Sequence, residues 1–96
     1  MRKHMRLEYR LRDDVDIDGY LPLLTEFVTN LRKDDTTTDY TAYRDAKNPQ
    51  HFVHVGHFNE DVAAAFQNQV WFKTFTTRLR ELTVSPPDVV MLSPVI

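Results

Sequence analysis

Not one cysteine occurs in the 96 residues, which excludes a disulfide framework, thiolate-based zinc sites and a cysteine nucleophile together. A reducing cytoplasm is the compartment this composition suits. The two glycines, Gly19 and Gly56, stand too far apart to build a phosphate-cradling loop. No apolar run approaches the roughly 20 residues of a membrane span, and the amino-terminal MRKHMRLEYR has no apolar centre of the kind a secretion signal needs. Neither sign of charge dominates: 12 Lys and Arg against 14 Asp and Glu leave a net charge of −2. The basic residues are scattered, so no nucleic-acid partner and no membrane partner are expected.

What is there amounts to one hydrophobic-polar rhythm without repeats, linkers or low-complexity segments, and a single domain over 1–96 is predicted. A chain this short buries only roughly 60 to 65% of its unfolded surface. Its thin core favours burial of a further face against a partner.

Met5 to Arg12 alternate strictly, with Met5, Leu7, Tyr9 and Leu11 on one side, and period two predicts a strand. The acidic DDVDID leads into a helix from about Gly19 to Lys33, where Leu21, Leu24, Val28 and Leu31 recur at spacings of three and four. Pro22 is placed in its first turn, where a missing N–H costs little. Thr36 to Tyr43, rich in β-branched and aromatic residues, predicts a second strand. Turn chemistry at 44–49 joins it to a third, His51 to Phe58. Asn59, Glu60 and Asp61 read as the start of a second helix. Its predicted stripe runs Val62, Ala65, Phe66, Gln69, Phe72, Phe75, Leu79 and Leu82, to about Thr83. Pro86 and Pro87 stop it, and Val89 to Leu92 form a last strand. The order strand, helix, strand, strand, helix, strand predicts an α+β, ferredoxin-like βαββαβ fold: a four-stranded antiparallel sheet with two helices on one face. The other face is left to solvent or to a second sheet in a homodimer.

His51, His54 and His57 would gather on one side of a helix and suggest a metal site. On a strand, His51 and His57 share a face about 20 Å apart while His54 points the other way, so no metal site is expected. Gln69, on the inward stripe, is either an amide bonded to backbone or a cavity-lining group; Trp71 packs as a lid or dimer contact, or stacks on a flat aromatic ligand. Tyr9, Tyr40 and Tyr43 read as strand aromatics. No serine-histidine-acid order or close carboxylate pair appears.

TyrThrAlaTyrArgAsp at 40–45, Asn48 and Pro49, PheValHisVal at 52–55, PheAsnGluAspValAlaAlaAla at 58–65, PheLysThrPhe at 72–75 and LeuThrValSerProProAspVal at 82–89 resemble, in order and spacing, the antibiotic biosynthesis monooxygenase family. The likeness implies a dimeric α+β barrel formed by sheet-to-sheet packing, with a pocket between sheet and helices in each subunit. It further implies oxidation of quinol-like or polycyclic aromatic molecules by molecular oxygen, with no metal or flavin cofactor. Gly56 and Phe58 stand where that family commonly carries glutamate and tryptophan, and Phe66, Gln69 and Trp71 stand where histidines and serine are common. Removing a proton from a phenol or quinol asks for a positioned base. His54, on the same strand side as Gly56 and Phe58, becomes the candidate, with Tyr9, Phe58, Phe66, Gln69, Trp71 and Phe72 binding the substrate. A non-catalytic dimeric binding module for a planar ligand, or a structural dimer with a filled pocket, are the alternatives.

Overall fold

The computed structural model describes residues 2–59 and 66–96. Its elements follow the predicted order: β1 (Arg2–Arg10), α1 (Ile17–Lys33), β2 (Thr37–Arg44), β3 (His51–Asn59), α2 (Val70–Leu82) and β4 (Asp88–Leu92). The four strands form one sheet in the order β2-β3-β1-β4, and every pairing is antiparallel. This is the ferredoxin-like arrangement expected from the sequence.

Alternation along each strand decides what lies beneath the helices. On β3, Phe52, His54, Gly56 and Phe58 are buried while His51, Val53, Val55 and His57 are partly open. Tyr9 pairs with Phe52, Leu7 with His54 and Ala42 with His54 across the ladder, so the inner side is continuous over three strands. Tyr20, Leu24, Phe27, Val28 and Leu31 of α1 and Phe75 and Leu79 of α2 complete one core on that side. The helices meet through Phe27 and Phe75, stacked with ring centroids 3.9 Å apart.

Two helix boundaries differ from expectation. α1 begins at Ile17, two residues early, which moves Pro22 into the second turn. There it removes the bond its N–H would give to the Asp18 carbonyl. The second difference is larger. The predicted start at Glu60 and the stripe positions Val62 and Ala65 lie outside the described residues, but a turn at 67–69 separates Phe66 from α2. The Gln69 N–H donates to the Phe66 carbonyl at 3.0 Å, and Gln69 is the extended residue preceding the helix, with ψ 144°. Packing gives the reason. Nine residues along an unbroken helix rotate a side chain by about 180°, so Phe66 and Phe75 could not both face the sheet; with the turn between them both are buried.

The end of α2 is tied back to the end of β1. Leu11 bridges Thr83, the Arg12 N–H donates to the Leu82 carbonyl at 2.9 Å, and the Val84 N–H to the Arg10 carbonyl at 3.0 Å. No described helix is long and apolar enough to cross a membrane.

Candidate functional site

Beneath the helices, four polar side chains from four elements meet in an otherwise aromatic core. His54 on β3 is fully buried. Its Nε2 lies 2.7 Å from the Tyr9 hydroxyl of β1 and its Nδ1 2.7 Å from the Tyr40 hydroxyl of β2. The Tyr9 hydroxyl in turn lies 2.5 Å from that of Tyr20 on α1. Each polar group therefore has a partner, as burial requires.

Burial sets the charge state of the whole chain. It pushes the His54 imidazole down to about 4 and raises the Tyr9, Tyr20 and Tyr40 phenols well above their ordinary value, with neighbouring tyrosines adding to the effect at Tyr9 and Tyr40. At neutral pH all four are uncharged. Three hydroxyls and one imidazole N–H supply four protons to three hydrogen bonds. One proton is thus always left over, and neutral His54 donates to one tyrosine while accepting from the other.

Gly56 explains how Tyr40 reaches this position. A Cβ added there would sit 2.8 Å from Tyr40 Cδ2 and 2.8 Å from Cε2 and Cζ of Phe58. The space that a glutamate would need is thus filled by two aromatic rings, and the departure at Gly56 and the inward seat of Tyr40 are one feature.

A cavity of about 410 Å³ lies between α2, the inner side of β1 and β4, with Met5, Leu7, Tyr40, Phe58, Phe66 and Phe72 among its walls. Its volume is that of a small-molecule site. Of the residues expected from the sequence, Phe58, Phe66 and Phe72 line it. Tyr9 and His54 do not; they lie below, with Tyr40 the member of the polar chain that also forms part of the wall. Tyr40, a strand aromatic by its sequence setting, carries no local motif that marks it as a site residue; its place opposite Gly56 in the β2–β3 ladder is the signal that does.

Gln69 is a correction. It was expected on the inward stripe, yet it is exposed, because the turn at 67–69 places it at the helix start with its carbonyl accepting from the Lys73 N–H at 3.1 Å. Trp71 also lies outside the cavity wall: it lines a separate shallow groove with Leu23, Phe27 and Asn30 and packs on Phe66 and Phe72, ring centroids 6.4 and 6.1 Å away.

On the bare side of the sheet, His51 contacts Glu8 at 2.5 Å and Asp45 at 3.1 Å. The hydrogen bond to Asp45, then that to Glu8, raises its pKa. His57 lies on this side too, 3.7 Å from Asp39. The three histidines are separated by strand alternation as expected, and no group of metal-binding side chains is formed among the described residues.

No protein-family model matches the chain, and no curated protein is significantly similar to it in sequence. Solved structures are similar in fold. One described as an antibiotic biosynthesis monooxygenase is 23% identical with a TM-score of 0.87, the alignment covering 100% of both chains. A protein from Mycobacterium tuberculosis is 18% identical, TM-score 0.87, over 100% of this chain and 97% of that one. SnoaB, a cofactor-independent oxygenase from Streptomyces nogalater, is 10% identical, TM-score 0.84, over 99% and 94%. At these identities the likeness establishes a shared fold. It extends end to end, and two of the three structures bear the family or the activity that the residue pattern resembles.

Proposed function

We propose that the protein is a cofactor-independent monooxygenase of the antibiotic biosynthesis monooxygenase kind, acting in the cytoplasm as a homodimer on a planar quinol-like or polycyclic aromatic molecule. The observation that carries this reading is the apolar aromatic cavity whose wall includes Tyr40, the end of a buried proton-exchanging chain. In the reaction, the substrate supplies all four electrons that dioxygen takes up: one oxygen atom enters the ring system and the other leaves as water. The protein's part is to bind the ring, exclude water and accept the first proton. That proton passes to the Tyr40 oxygen as the Tyr40 hydroxyl proton moves to His54 Nδ1, leaving a substrate anion and an imidazolium.

The energetics of that step favour slow turnover. A phenol near 10 giving its proton to an imidazole near 4 is uphill by about 8 kcal/mol, offset in part by attraction between the new charges in a dry site. The same fact supports a second reading, a dimeric module that holds a planar ligand without chemistry.

Dimerisation is read from the bare side of the sheet. Tyr43, Val53 and Val55 form one apolar patch on it by register and Val90 and Leu92 a second, with His4, Arg6 and Glu8 of β1 between them, and Tyr43 is 56% exposed. Such a partly polar face suits burial against a second copy.

Oxygen uptake with an anthrone, which would consume one dioxygen and yield the quinone and water, separates enzyme from binder. Uptake by metal-depleted protein that falls at least tenfold in His54→Gln supports the monooxygenase. Tight binding with no uptake above the spontaneous rate assigns the binding module, and no binding rejects both.

A further inference from the structure

We infer that the ligand of this cavity bears an anionic group, an aromatic carboxylate being the simplest class, held at the mouth by Lys3 and Arg80. The inference rests on the proposed reading of the cavity as a site for a planar aromatic, and adds the chemistry that selects among such molecules.

The starting observation is a break in the rhythm of β1. Its inner-facing positions are Lys3, Met5, Leu7 and Tyr9; Lys3, opposite Phe58 in the ladder, is a cation where the alternation calls for an apolar side chain. It lines the cavity. Arg80 reaches the same cavity from α2, across from β1. Both are exposed, which places their charges at the opening, with the aromatic walls farther in. Among the described residues that line the cavity there are two cations and no acid, in a protein whose net charge is −2.

Each residue has an ordinary structural role that would account for it alone. Lys3 sits near the end of a strand where its stem covers apolar surface, and Arg80 in the last turn of α2 suits the helix dipole. Those roles do not require the two to converge on one opening. None of the other described cations lines the cavity; four of them are paired elsewhere, Arg78 with Glu81 at 3.2 Å, Arg6 with Glu8 and Asp88, and Arg10 and Arg12 with Asp13 and Asp14. A rigid aromatic acid would place its rings against Phe58, Phe66 and Phe72 and its carboxylate between the two cations. A neutral aromatic of the same shape would fill only the inner part.

The test compares anthracene-2-carboxylate with anthracene-2-carboxamide on the full chain, reading energy transfer from Trp71, which packs on two cavity-lining rings. The carboxylate should bind roughly tenfold more tightly at low salt. That preference should shrink towards unity in 0.5 M salt, where screening acts within a few ångströms, and in the Lys3→Gln/Arg80→Gln double variant. The carboxamide should bind both proteins alike, which also reports that the variant is folded. Equal affinity of the two probes would overturn the anionic class while leaving the aromatic cavity in place. A preference that survives both salt and the double variant would overturn the assignment to Lys3 and Arg80. Binding of neither probe would overturn this inference together with the reading it rests on.

Discussion

Lowering the pH from 7 to 4 should destabilise this protein in a way traceable to one side chain. His54 is buried, bonded through both ring nitrogens and held near 4 instead of 6.5. Between those two values the unfolded chain binds a proton that the folded chain refuses, so stability falls as pH falls. At about 1.4 kcal/mol per pH unit the loss by pH 4 is about 3 kcal/mol, a large share of the 5 to 15 kcal/mol typical of a small domain. The measurement is urea unfolding at half-unit intervals of pH for the wild type and His54→Gln, whose amide offers Tyr9 and Tyr40 a donor and an acceptor but does not titrate. Carboxylates such as Asp45, held low by the Lys47 N–H and by His51, contribute equally to both curves and cancel in the difference. The difference should therefore slope between pH 6.5 and 4 and flatten above 7. Parallel curves throughout, or a His54 ring titrating near 6.5 by NMR, would refute the argument.

Gly56→Ala should cost about 1 to 3 kcal/mol, the usual penalty of overpacking, because the new methyl meets Tyr40 and Phe58 at 2.8 Å; an unchanged urea midpoint would show that those rings yield freely. Light scattering after gel filtration should give twice 11.3 kDa, and Tyr43→Glu, which sets a charge in one apolar patch of the bare face, should shift the species to the monomer mass. A wild-type monomer at tens of micromolar would remove the dimer.

Strand alternation made the sheet legible. Phe52, His54 and Phe58 could be assigned to one side, and His51 and His57 to the other, because a period of two leaves no third choice. The break before α2 was harder to see, since no proline or glycine marks it. The stripe Phe66, Gln69, Phe72 and Phe75 advances by three residues at each step, however, and each such step slips about 60° behind a helix turn. Three slips carry the last phenylalanine to the far side of the first. That accumulated slip was present in the sequence, and reading it as one continuous stripe is what put Gln69 in the pocket. Tyr40 was missed for a different reason: a tyrosine at a strand position is ordinary, and only the ladder, which sets it beside a residue without a side chain, makes it part of a site.

The polar chain joins β1, α1, β2 and β3 at a single point, whereas α2 and β4 supply no member of it. The two parts of the molecule are therefore under different constraints as the sequence drifts. Replacing Tyr9, Tyr40 or His54 by a side chain with no hydrogen-bonding group strands a buried donor or acceptor on another element, so such a change costs stability unless its partner changes too. Phe72, Val89 and Met91, on the walls given by α2 and β4, can each be exchanged for another apolar side chain at small cost. Substitutions on those walls can therefore reshape the cavity one residue at a time, while the hydrogen-bonded centre beneath it stays as it is.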